Sequence, residues 1–387
     1  MARVELITWS DLIEHLTDWM GANPSGEARR DAKRASLSAL RAVANAHSWT
    51  YYYTRGRLNT VAAYSAGTVS YDQTGGAFER LVTLAGGTFP SWAALGTVQI
   101  ENVTYEVAER KSDTQVTLST NSNPGADIAG TSGWTIYRES YPLPTNFQSL
   151  GELYIATHAR LLGFEHPSNW LARQRVYRGV SIPSSYTVLG EANYQNVLAI
   201  AFYPPPDLAY AVDYLYKRHP RPLRVEQETA GKVSVGVGSA SVTGAGTAFS
   251  SRMVGSVIRI GDASDVPTAR WGNSPAQDER VVTAVASATS LTVDSGWSVA
   301  ANGVKYAISD PVDIHAPTML TALLRRAELE TGHARNKRDR GELEMAAQRE
   351  LVMAREADAR NFKEERAGSP GLWPVRYADM PFDASGG

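Results

Sequence analysis

Three blocks of sequence occur twice and in the same order, and this duplication constrains the fold of the 387-residue chain more than any other feature. Val82-Thr-Leu-Ala-Gly-Gly-Thr-Phe89 is matched by Val242-Thr-Gly-Ala-Gly-Thr-Ala-Phe249. Leu95-Gly96-Thr-Val-Gln-Ile100 is matched by Val254-Gly255-Ser-Val-Ile-Arg-Ile260, and Ser112-Asp-Thr-Gln-Val-Thr-Leu118 by Ser287-Ala-Thr-Ser-Leu-Thr-Val293. Each copy closes with a glycine and an aromatic strand, Trp134 to Tyr137 and Val304 to Ile308. Alternating patches such as Val257-Ile-Arg-Ile260 and Leu291-Thr-Val293 fit half-buried antiparallel strands. Segments this short predict a small barrel or sandwich, present as a duplicated surface module.

Helices are expected on either side. Thr8 and Ser10 are N-cap candidates for a first helix carrying Leu12, Ile13, Leu16, Trp19 and Met20 at helical spacing. A second helix, from about Glu27 to His47, has a small-residue face and a basic face of Arg29, Arg30, Lys33, Arg34 and Arg41. Small residues let a neighbouring helix approach closely, so the pair reads as one side of a bundle. Trp49 to Thr54 reads as a strand. The stretch after Tyr141 reads as a helical piece (Leu150 to Leu162), a short helix (Ser168 to Tyr177), and strands near 184–189, 195–203 and 209–217.

From Pro317 to about Arg366 the pattern predicts one long helix, with Gly332 and Gly341 as the points of possible interruption. At roughly 1.5 Å per residue it would be about 75 Å long. Arg335–Asp339, Arg338–Glu342 and Arg340–Glu344 are i,i+4 pairs with the basic residue first, the weaker order. Such pairs cannot order so long a helix alone, and a second copy of the chain is the economical partner. These six residues are therefore the candidate inter-subunit contacts. Beyond Gly368, Leu372, Trp373, Tyr377, Met380 and Phe382 lie among prolines, as suits an arm docking into a partner's grooves.

The predicted fold is thus α+β. It has a helical bundle core, a central β-region, two related small β-barrel or sandwich insertions, a long C-terminal helix and an extended arm. The boundaries fall at 1–65 (N-terminal helices and first core strand), 66–140 (first β-module) and 141–230 (central core region). They continue at 231–310 (second β-module), 311–366 (C-terminal helix) and 367–387 (docking arm).

Catalytic chemistry is not legible. The chain has no cysteine, which excludes disulfides, thiolate nucleophiles and cysteine zinc sites. None of the histidines sits at metal-ligand spacing, so no metal or cofactor is expected. Gly236-Val-Gly238 lacks the third glycine of a dinucleotide fingerprint, and Gly244-Ala-Gly246-Thr lacks the lysine of a P-loop. There is no nucleophile elbow. The expectation is a protein that is not an enzyme. A net charge of −2 argues against a dedicated DNA-binding protein, and no apolar run suffices for a membrane helix.

The arrangement resembles the head-to-tail adaptor (connector) proteins of tailed bacteriophages, of the tail tubular protein A or gatekeeper type. The resemblance is carried by the N-terminal helix pair, Tyr141-Pro-Leu-Pro-Thr-Asn-Phe147 and Pro183-Ser-Ser-Tyr-Thr-Val188. Ala201-Phe-Tyr-Pro-Pro-Pro-Asp207, Val212-Asp-Tyr-Leu-Tyr-Lys-Arg218 and the closing helix and arm extend it. Many connectors are about half this length, and the duplicated module is an addition. The resemblance implies a ring of about twelve copies under the capsid portal, located in the virion neck after assembly in the host bacterial cytoplasm. Its arm would reach the portal protein, and its β-modules would meet tail, nozzle or fibre proteins. Double-stranded DNA would pass through the lumen without sequence-specific binding. Two alternatives stay open: another tail component such as a fibre-attachment protein, or a carbohydrate-binding β-protein using Trp92, Trp134, Trp271 or Trp297.

Overall fold

Strands hold 37% of the chain and helices 28%, which overturns the expected helical bundle core: the molecule is mostly β. The computed structural model describes residues 7–21, 26–74, 79–176, 179–191, 193–194, 196–267, 276–335 and 340–368, with His333, Arg335 and 361–368 described by backbone alone. Two compact units emerge, one from Tyr53–His219 and one that joins Met1–Tyr52 to Pro220–Gly387. All the described α-helices but one, Pro167–Val176, form one layer of the second unit, not a scaffold into which both β-modules insert.

That layer begins with α1 (Trp9–Trp19) and α2 (Gly26–Ala46). Thr8 caps α1 in a capping box with Asp11, worth about 1 kcal/mol. Leu12, Ile13 and Leu16 of α1 and Ala32, Ala35, Ala39, Leu40 and Val43 of α2 face one core.

The other unit opens with β1 (Tyr53–Asn59), preceded by a single 3₁₀ turn at Thr50–Tyr52. The first module follows as β2 (Thr68–Asp72), β3 (Leu81–Ala85), β4 (Thr97–Ile100), β5 (Val103–Arg110), β6 (Gln115–Leu118), β7 (Ile128–Thr131) and β8 (Trp134–Tyr137). Next come β9 (Ser140–Pro142), β10 (Phe147–Ile155), β11 (Arg160–Leu161), β12 (Gly163–Phe164), α3 (Pro167–Val176), β13 (Ser185–Gly190), β14 (Leu198–Tyr203) and β15 (Ala211–Arg218). The helix expected over Leu150–Leu162 is instead β10, a 3₁₀ turn and β11. Leu153 and Ile155 are buried while Glu152 and Tyr154 are exposed, a period of two, and Ala159 in the left-handed region (φ 47°) reverses the chain. Two four-stranded sheets, β1-β15-β10-β11 and β12-β13-β14-β9, enclose a core of Leu153, Ile155, Ile200, Phe202 and Val212 with five tyrosines.

The second module is β16 (Lys232–Val235), β17 (Ser241–Ala245), β18 (Val257–Ile260), β19 (Asp278–Ser287), β20 (Ser290–Val293), β21 (Ala301–Val304) and β22 (Tyr306–Ser309). Its strand order, β21-β16-β17-β20-β19-β18-β22, repeats that of the first, β7-β2-β3-β6-β5-β4-β8, position for position. Side chains repeat as well. Phe89 packs edge-on against Trp134 at 5.7 Å, and Phe249 against Tyr306 at the same distance. The Trp134 indole N–H donates to Gly67 O, and the Tyr306 hydroxyl to Ala230 O, so both rings tie the last strand to the loop entering the first. Gly67 (φ 86°) and Gly231 (φ 83°) occupy the same turn, where a Cβ would collide with the carbonyls of Ala85 and Ala245.

The modules differ at one hairpin. Glu101 and Asn102, both at positive φ, make a two-residue turn between β4 and β5. The corresponding connection in the second module runs from 261 to 277 and carries Trp271, which lies outside the described residues.

The chain closes with α4 (Ala316–Glu330), α5 (Gly332–Arg335) and α6 (Arg340–Gly368). The long helix expected from Pro317 is thus interrupted beside Gly332, one of the two points at which the pattern allowed a break. Thr331 adopts an extended conformation at the end of α4, and α6 packs back on α4 within the same chain. Among the described residues, no helix is long and apolar enough to cross a membrane.

Candidate functional site

α6 shows how the helical layer is used. Ala347, Leu351, Ala354 and Asp358 recur along one face, and this stripe turns inward. Asp358 accepts from Thr50 N at 3.2 Å and meets His47 Nε2 at 3.2 Å. Arg355 donates to Ala46 O at 2.6 Å, placing a cation at the C-terminus of α2, where the helix dipole favours it. α4 is tied to α1 by Glu328, which meets His15 at 3.0 Å and Arg325 at 2.9 Å. Burial acts to raise the Glu328 carboxyl, but these two hydrogen bonds outweigh it and hold the group below its usual range.

Between α2, α4 and α6 lies a groove of about 710 Å³. Val43, Ala322, Leu329, Ala347 and Leu351 form its apolar floor. Its rim carries two ion pairs, Arg326–Glu330 at 2.6 Å and Arg340–Glu344 at 3.0 Å. Among the described residues Arg326 Nε is buried without an acceptor. The outer face of α6 leaves Met345, Val352 and Met353 exposed, at 68%, 40% and 56%. Their spacing of seven and eight residues sets them in one stripe.

Of the six sequence-predicted helix contacts, Arg340 and Glu344 pair within α6 on the groove rim, and Glu342 is exposed. Arg338, Asp339 and the Arg335 side chain lie outside the described residues, as do Leu372, Trp373, Tyr377, Met380 and Phe382. The basic face of α2 is partly consumed internally: Arg29 and Lys33 both bind Glu226, and Arg34 binds Asp31.

The other unit has a second pocket, of about 270 Å³, lined by Thr97, Thr104, Tyr137, Glu139, Gln174 and Arg175. Gln174 Nε2 donates to Glu139 Oε2 at 2.6 Å, pinning α3 to the short link between β8 and β9. Burial raises the Glu139 carboxyl to about 7, with Glu191 and Glu106 adding repulsion and Gln174 opposing it. Nothing in the local sequence Tyr137-Arg-Glu-Ser140 marks this residue, because its environment is assembled from distant elements. Among the described residues no group of three or more acidic or histidine side chains could hold a metal ion. Trp134 and Trp297 are buried in their module cores and offer no aromatic platform to a saccharide.

What these features define is a mostly β chain with a duplicated module and one helical layer. No family model matches the chain, and no curated protein matches it. Among solved structures it is similar to translation elongation factor SelB from Methanococcus maripaludis. The apo form is 8% identical with a TM-score of 0.15, the match covering 67% of this chain and 63% of that one. The complex with the GTP analogue GppNHp is 10% identical with a TM-score of 0.15, covering 74% and 69%. The chain thus spans less than two thirds of the apo factor's length. At that TM-score the likeness carries no argument about fold or function.

Proposed function

We propose that the chain is a non-enzymatic structural subunit of a phage virion, about twelve copies of which form a ring joining the capsid portal to the tail around the DNA exit channel. The observation that carries this reading is the outer face of α6. A helix already packed against α4 still presents Met345, Val352 and Met353 to solvent in one stripe. Burying that stripe against an adjacent copy would contribute about 25 cal/mol per Å² of apolar surface removed from water.

Two further features support the reading. The modules are two copies of one framework with different loops, which suits docking to more than one tail, nozzle or fibre protein. The net charge of −2 suits a channel wall past which DNA slides, since a strong phosphate grip would slow ejection. In this reading the protein resides in the virion neck after assembly in the host cytoplasm.

Mass photometry of the chain alone and mixed with its portal ring tests the reading. Rings of about twelve copies in either sample are the expected result. A particle that stays monomeric in both overturns it.

A further inference from the structure

The groove between α2, α4 and α6 has the floor of a docking site and nothing of the described chain seated in it. We propose that Leu372 and Trp373 of one copy occupy this groove on an adjacent copy, so that the segment 369–387 links neighbouring subunits. The inference rests on the ring reading only for the presence of an adjacent copy.

Three observations select this occupant. The first is size and chemistry. A volume of about 710 Å³ over Val43, Ala322, Leu329 and Ala347 accepts a tryptophan and a leucine together. Tryptophan is also the residue that most often anchors an interface.

The second is polar complementarity. Arg326 Nε is buried at the rim with no acceptor among the described residues. The segment contains Pro370, Pro374 and Pro381, each of which brings a carbonyl without an N–H. It therefore offers more acceptors than donors. Arg376, Asp379 and Asp383 match a rim that carries both signs of charge.

The third is reach. Gln348 lines the groove, and Gly368 lies twenty residues further along α6, about 30 Å away at 1.5 Å per residue. Trp373 is five residues beyond Gly368 and spans at most about 18 Å from it, even fully extended. Trp373 can therefore touch at most the near edge of its own groove, at Ala46 and Leu351, whereas the groove of another copy takes Leu372 and Trp373 together over the floor at Ala347.

The absence of cysteine makes a disulfide trap clean. One chain carries Gln348→Cys and the other Gly371→Cys, which leaves Leu372 and Trp373 intact. The two are mixed under mild oxidation and read on a non-reducing gel. The expected result is a covalent heterodimer formed at least about tenfold faster than with Val237→Cys, an exposed position on the second module, in place of Gln348→Cys. Adding Trp373→Ala to the Gly371→Cys chain should return the rate to that of the control. Cross-linking at the control rate overturns the inference, and so does a rate insensitive to Trp373→Ala. The ring reading fails separately. Rings seen by mass photometry with control-rate cross-linking remove only the arm assignment, whereas fast cross-linking in particles no larger than a dimer removes only the ring.

Discussion

Arg259 grips Asp11 with two hydrogen bonds, Nη1 to Oδ1 at 2.6 Å and Nη2 to Oδ2 at 2.9 Å, across 248 residues of sequence. Its Nε also meets Glu279 at 3.1 Å. The contact fastens β18 of the second module to the first turn of α1, and both charges are buried. Removing one partner of such a pair strands the other. Asp11→Ala and Arg259→Met should each cost about 3–5 kcal/mol, while the double variant should lose less than the sum by about 2 kcal/mol. Urea unfolding of the four proteins measures this coupling, and strict additivity would remove the pair from the account.

The equivalent glycines make a symmetric prediction. Gly67→Ala and Gly231→Ala each force a side chain into the left-handed region and against a carbonyl. Each should destabilise its module by about 1–3 kcal/mol. Hydrogen exchange should show the loss confined to strands 68–137 for the first variant and 232–309 for the second.

Glu139 sets a pH dependence in its unit. Its folded-state value of about 7 lies above the ordinary 4.5, so the folded state holds the proton more tightly than the unfolded chain does. The stability this contributes is complete below about pH 4.5 and is lost as pH rises through about 7. For a partly exposed carboxyl the loss should be roughly 2 kcal/mol. Glu139→Gln keeps a hydrogen-bonding partner for Gln174 and should flatten the profile. Urea unfolding of both proteins at about pH 5 and about pH 8 compares them.

The exposed stripe of α6 separates assembly from folding. Met345→Glu with Met353→Glu places charges on two side chains that are more than half exposed. Thermal stability should change by less than about 0.5 kcal/mol, while rings should disappear from mass photometry. Retained rings would place the subunit contact on another face.

The duplication was legible because side-chain spacing along a strand is local. Leu291 and Val293 are buried and Thr292 between them is exposed, as their alternation requires. The same local logic misled at Arg259. In Val257-Ile-Arg-Ile260 the alternation marks it as solvent-facing, yet α1 covers that face and all four residues are buried. Residues 150–162 failed for a related reason: leucines at ambiguous spacing fit either period, and pairing with β15 selected the strand.

From sequence alone came the repeat, the capped first helix, the absence of cysteine and the near-neutral charge, since each depends on residue identity and short-range spacing. Tertiary structure alone decided that strands dominate, that the closing helix folds back on α4 after its break, and that Arg259 is buried and Glu139 partly withdrawn from solvent. Those outcomes depend on which distant surfaces meet, and burial and the energy of a charge are properties of the assembled surroundings.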